Sequence, residues 1–154
     1  MLAALAAHPA TRDVVAVSGY EPGTIVVKTG ERRLLFVYER GRALRFPVGV
    51  GREGHRWTGR AKVEGKYVEP DWEPPDVIRR DNPGLPKIIP GGSPRNPMGA
   101  AALTLRGGEY AIHGTNDPNS IGGFVSYGCI RMHNRDIKTL YRLVDVGTPV
   151  IVER

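Results

Sequence analysis

A second cysteine is missing from this chain: Cys129 stands alone among 154 residues, so no disulfide can close within it. The redox compartment stays open on that count, because a catalytic thiol can be kept free in an oxidising space too. Also missing is any apolar run long enough to span a bilayer, and with it any basis for stable membrane insertion. Neither an internal repeat nor a low-complexity tract is present. Metal-ligand spacing is lacking as well: Cys129, His113 and His133 match no common pattern, and no metal or other cofactor is expected. Acidic residues are outnumbered, 16 against 22 basic ones, for a net charge of +6. Of those 22, 17 are Arg, which favours bidentate carboxylate or phosphate contacts. They are scattered and no binding motif accompanies them, which argues against a nucleic acid. The basic surface is either a solvated face or the footprint of another anionic partner.

What the chain has in plenty is glycine (20) and proline (13), too many breakers for a helical bundle. The expectation is a mainly β fold with short strands and many turns. Residues 1–20 read as an extended, poorly specified arm and 21–154 as one domain. Met1–Ala7 is apolar but short and without basic residues. It reads as an artificial chain start or as the trimmed remnant of a secretion signal ending near His8-Pro9-Ala10. Thr24–Val27, Arg33–Tyr38 and Ala43–Val50 read as a β-meander, the third strand broken by Pro47 at an edge or bend. Ala61–Val63 and Lys66–Val68 are further short strands. From Glu69 to Pro97 eight prolines rule out long regular elements, with one helical turn at Asp76–Arg80. Such a segment is a lid or substrate-binding loop, or else a linker, and the lid is favoured because nothing after it reads as an independent domain. Ala100–Leu105 and Glu109–His113 pair through Gly107-Gly108. Asn134 is the expected N-cap of a helix carrying Ile137, Leu140, Tyr141 and Val144 at helical spacing, with Gly147 as its stop, and Pro149–Val152 is the last strand.

The lone thiol lies in Ser126-Tyr127-Gly128-Cys129-Ile130-Arg131-Met132, and His113 leaves a strand sixteen residues earlier. A free thiol is only a few per cent ionised at neutral pH, so it needs a base, and an imidazole supplies one. Gly114 lets the backbone fold closely round that imidazole, so a carbonyl can fix its tautomer. Gly128 leaves its own N–H and that of Cys129 open to a carbonyl oxygen, an oxyanion hole in prospect. A buried, inert cysteine is the bland alternative.

The segments Ile112-His113-Gly114-Thr115 and Ser126–Met132 resemble the signature of the YkuD-type L,D-transpeptidase catalytic domain, a histidine in an H-G-T run followed by [S/T]-H-G-C-[IV]-R. Trp57-Thr58-Gly59, Asp71–Pro75, Asn96-Pro97-Met98-Gly99 and Asp117–Gly122 resemble four further family segments, and Leu140-Tyr141 through Val150 its closing helix and strand. The resemblance implies a sandwich-like, mainly β domain with one principal helix after the cysteine. It implies a nucleophile, Cys129, that attacks the third-residue carbonyl, typically of meso-diaminopimelate, in a peptidoglycan tetrapeptide stem. His113 would act as base and then acid, D-Ala would leave, and an amine would resolve the thioester as a 3→3 crosslink or an attachment to an envelope protein. It implies carbapenem sensitivity and a periplasmic or cell-envelope location. Arg131, Tyr127 and Ser126 are candidate substrate contacts, with a structural hydrogen-bonding arginine and a turn-holding loop hydroxyl as the alternative readings of Arg131 and Ser126. Two positions depart from the family: Tyr127 stands where histidine is usual, and Trp57 replaces the proline of T-P-T-G. An L,D-carboxypeptidase, with water resolving the thioester, and a non-catalytic peptidoglycan-binding module are the alternatives.

Overall fold

The β-branched and aromatic runs of the first half fold as long strands because both faces of them find cover. The computed structural model describes residues 13–107 and 109–154. Among these residues there are ten strands: β1 Val14–Ala16, β2 Ile25–Lys28, β3 Arg33–Glu39, β4 Arg42–Gly51, β5 Gly59–Val68, β6 Ala101–Leu105, β7 Ala111–His113, β8 Phe124–Ser126, β9 Ile130–Met132 and β10 Pro149–Glu153. Two helices, α1 at Asp76–Asp81 and α2 at Asn134–Leu143, join them. The mainly β fold with one principal helix after Cys129 is as expected.

The strand path runs β4-β3-β2-β10-β5-β6-β7-β9, and β9 pairs again with β4, so the path closes on itself. β4 makes this possible by changing partner halfway. Arg42 to Pro47 lie against β3, then Val48 and Gly49 lie against Met132 and Arg131 of β9. Proline has no N–H for a ladder, so Pro47 sits where the strand leaves one neighbour for another. The break expected there is a crossing point within one continuous strand. Likewise, the two short strands expected at Ala61–Val63 and Lys66–Val68 are one, β5, with a register shift between Val63 and Gly65.

Inside the closed path lies the main core, with Ile25, Leu34, Leu103, Ile112, Ile130, Met132, Ile137 and Leu140 almost fully buried. On the outer face Val26, Leu35, Val37 and Ala43 form a second cluster. The N-terminal segment covers it. From Asp13 onward the expected loose arm is ordered, since β1 pairs antiparallel with β4 while Val15, Val17 and Tyr20 pack on that cluster. The signal-remnant reading of residues 1–10 lies outside the described residues, as does Gly108 of the expected turn.

α2 packs over β6 and β7. Its N-cap is His133, without a side-chain bond, and Asn134 is already helical. The Asn134 side chain does something else. Its Oδ1 accepts the N–H groups of Ala100 (3.0 Å) and Thr115 (3.1 Å), and its Nδ2 donates to Thr115 O (3.0 Å). The helix stops at Leu143, before Gly147, which lies in the following turn at φ +96°.

The proline-rich segment is held by one buried side chain. Asn96 Nδ2 donates to the carbonyls of Pro70, Ile89 and Pro90 at 2.9–3.1 Å, and its Oδ1 accepts Met98 N–H at 2.8 Å. Asn96→Ala strands these groups, and buried unsatisfied polar groups cost roughly 1–3 kcal/mol each. Chemical denaturation should therefore show a loss of about 2–4 kcal/mol. A loss under 0.5 kcal/mol would mean that the Trp72–Ile89 bridge, the Gly91–Asp71 bond and the prolines hold the segment without it.

Candidate active site

β7 and β9 run parallel with Ile112 opposite Ile130 and His113 opposite Arg131. Side chains alternate along a strand. Ile112 and Ile130 therefore enter the core together, while His113, Arg131 and Cys129 share the other face. Cys129 precedes Arg131 by two residues, so its Cα lies about 8 Å diagonally from that of His113. Both side chains line one cavity of about 450 Å³. Trp72, Pro75, Val77, Ile78 and Pro97 of the proline-rich segment wall one side of it, and Tyr110, Tyr127 and Arg131 line it elsewhere. His133 is not among its lining residues.

His113 is 4 % exposed. Its Nδ1 lies 2.6 Å from Gly114 O. A carbonyl only accepts, so Nδ1 carries the proton and Nε2 is the basic nitrogen. A Cβ at Gly114 would overlap Asn134 Oδ1 and fall 2.9 Å from Ala100 N. The close fold round the imidazole thus needs glycine, and the Asn134 bridge fixes it from below. Burial pushes the His113 pKa down to about 4; the Gly114 and Pro97 carbonyls oppose this and the Arg131 guanidinium adds to it. Burial also pushes the Cys129 thiol up, against the Ala111 backbone and Arg131, which favour thiolate. Both groups are therefore neutral at rest, a thiol and an uncharged imidazole lining one cavity.

That neutrality has a measurable consequence. Between about 6.5 and about 4 the unfolded chain binds a proton at this histidine that the folded chain does not. Stability from this residue is complete above 6.5 and is lost as pH falls through that window, by about 3 kcal/mol. Asp136 acts in the opposite sense, since burial raises its carboxyl pKa. The test is urea unfolding from pH 7 to pH 4 for the native chain and His113→Phe. The native chain should lose more stability on acidification; parallel curves would refute the assignment.

The cysteine loop is stitched from within. Gly128 N–H donates to Ser126 Oγ at 3.1 Å, and Ser126 O–H donates to Cys129 O at 2.6 Å. This corrects one expectation and decides between two readings of Ser126. The Gly128 N–H is engaged by the Ser126 hydroxyl and not open; Ser126, 3 % exposed, holds the loop, as the loop-hydroxyl reading has it, and not a ligand. The Cys129 N–H makes no hydrogen bond among the described residues. Tyr127 Oη donates to Asp81 at the end of α1, and its ring meets His55 edge-on at 5.0 Å and the Arg52 guanidinium at 4.4 Å. Arg131 is half-buried, and its guanidinium makes no hydrogen bond or ion pair among the described residues.

Residue patterns missed three members of this arrangement. Asn134 looked like a cap and Trp57 like a substitution in a turn, while nothing marked Asp81. Trp57 Nε1 donates to Gly128 O at 2.8 Å, and its indole stacks on Tyr110 with ring centres 4.6 Å apart and planes 9° apart. Only the departure of Trp57 from the family turn marked it beforehand.

The family model for the L,D-transpeptidase catalytic domain, YkuD, matches residues 22–152. YbiS of Escherichia coli K12, named a probable L,D-transpeptidase, is 42% identical over 136 residues, 82% of this chain and 43% of that protein. ErfK/SrfK of the same organism, so named too, is 43% identical over 135 residues, 82% of this chain and 42% of that one. The chain thus spans less than half the length of these relatives. Among solved structures, the catalytic domain of the Enterococcus faecium L,D-transpeptidase acylated by ertapenem superposes with TM-score 0.65 at 20% identity, over 88% of this chain and 99% of that one. L,D-transpeptidase 3 of Mycobacterium tuberculosis gives 0.63 at 16%, over 85% and 60%. Those two likenesses bear on the fold. Together with the match over 131 of 154 residues (22 to 152 inclusive), they leave one assignment: the chain belongs to the L,D-transpeptidase (YkuD) catalytic-domain family.

Proposed function

We propose that this domain is a peptidoglycan L,D-transpeptidase working in the cell envelope, with Cys129 as nucleophile and His113 as base and acid. The observation that carries the reading is the pairing of β7 with β9, which sets both side chains on one face of one cleft. The names of the relatives, and the acylated state of one structural neighbour, support it.

In the first half-reaction His113 Nε2 takes the Cys129 proton as sulfur bonds to the stem-peptide carbonyl carbon. The carbonyl electron pair moves onto oxygen, opposite the free Cys129 N–H. Two carbonyls, of Gly114 and Pro97, stabilise the imidazolium while it lasts. Collapse breaks the C–N bond, and His113 returns the proton to the departing D-Ala amine. An acceptor amine then attacks the thioester, loses its proton to His113 and expels the thiolate, which is reprotonated. Arg131, free of protein partners among the described residues, is placed to meet a stem carboxylate.

The test is mass spectrometry of products from a disaccharide-tetrapeptide. Loss of D-Ala with formation of a dimer supports the transpeptidase. Loss of D-Ala with tripeptide alone, even with added amine, supports the carboxypeptidase. Binding without turnover supports a binding module and overturns the proposal.

A further inference from the structure

We infer that Trp57 is a positioning residue for the oxyanion-binding peptide, acting through the carbonyl of Gly128; this rests on the acyl-transfer reading above. The Gly128–Cys129 peptide unit has a carbonyl at one end and the open Cys129 N–H at the other. A hydrogen bond donated to an amide carbonyl polarises the whole unit and makes its N–H a stronger donor. Trp57 Nε1 gives that bond at 2.8 Å. The indole N–H only donates, so the contact has a fixed sense.

The orientation of this peptide is set from three sides. Trp57 holds the carbonyl, Ser126 Oγ holds the preceding N–H, and the Tyr110 ring closes on Gly128 so tightly that a methyl there would overlap it. Tyr110 in turn is stacked on Trp57. Among the described residues Trp57 is the one side chain that both bonds the carbonyl and backs the ring beside it. A residue serving only to fill space would need the stack and not the N–H.

Two reactions of the same sulfur separate these roles. Acylation by a carbapenem forms an S–C bond, moves the carbonyl pair onto oxygen and then breaks the lactam C–N bond, nitrogen receiving the proton relayed by His113. Alkylation by iodoacetamide forms an S–C bond at a saturated carbon as iodide leaves, and no oxyanion arises. Trp57→Phe keeps an aromatic face for Tyr110 and removes the N–H. A benzothienylalanine placed at position 57 keeps the bicyclic shape and removes only the donor, which guards against a folding defect. Direct removal of an oxyanion donor costs about 100-fold or more. An indirect donor should cost about 10-fold.

The expected result is acylation slowed about 10-fold in both variants, with alkylation within about twofold of the native chain. Acylation within twofold of native overturns the inference and leaves the transpeptidase reading standing. Equal losses in both reactions also overturn it, by assigning Trp57 a packing role. No adduct on the native protein overturns the acyl-transfer reading itself, and the inference with it.

Discussion

Cys129→Ala is expected to remove the covalent acyl-enzyme entirely and leave the domain folded. The substitution deletes one atom from a half-buried side chain at the cleft floor and leaves the Cβ in place. No hydrogen bond of the loop uses the sulfur as its anchor; those run between Ser126, Gly128 and the Cys129 carbonyl. Melting should therefore shift by no more than a few degrees. Turnover should fall roughly a million-fold, as when the nucleophile of an acyl-transfer enzyme is removed. Intact-mass spectrometry after carbapenem treatment is the measurement. A single adduct on the native chain and none on the variant is the expected pair, and an adduct on the variant would place the nucleophile elsewhere.

Gly128→Ala should be nearly as damaging, through geometry and not chemistry. Gly128 sits at φ +129°, where an L side chain is strained by about 1–3 kcal/mol. Its added methyl would lie 2.8 Å from Tyr110 Cδ1 and 3.1 Å from Cζ, closer still to Cε1. The ring cannot step aside freely, because it is stacked on Trp57. Moving the pair withdraws the indole N–H from Gly128 O and tilts the peptide that carries the Cys129 N–H. Acylation should drop about 100-fold, or some 2.7 kcal/mol of barrier. Melting should fall by several degrees. Adding Tyr110→Ala relieves the overlap but not the backbone strain. The double variant should regain thermal stability and stay slow; recovery of both would assign the whole effect to the ring.

Where the chain repeats a local pattern, its fold can be read without coordinates. The meander of β2, β3 and β4 announces itself by β-branched runs between glycine turns, and α2 by Ile137, Leu140 and Val144 at helical spacing. β8 and β9 do not, because three residues carry no period. Their pairing with β4 and β7 is decided by distant partners. The same holds in the site. Cys129 and His113 stand out by residue type and by family resemblance, yet their shared face follows from the β7–β9 register. That Ser126 takes up the Gly128 N–H depends on where one hydroxyl points, and no spacing encodes that. Tyr127 meets Asp81 across 46 residues of sequence, through a segment whose prolines hide its course. Asn134 resembled a cap because caps and bridges use the same side-chain amide.

The closed strand path bears on how a peptide is received. Proteins that bind extended peptides by strand addition need a free sheet margin with unspent N–H and C=O groups. Among the described residues each strand of the ring pairs with two others along the closed path, β4 and β5 by changing partner partway, and the three-residue strands β1 and β8 hang outside it. An extended peptide, such as the proposed stem substrate, would find only short stretches of such a margin among the described residues. More of the discrimination should then fall to the groups that line the cleft, Arg131 and Tyr127 among them.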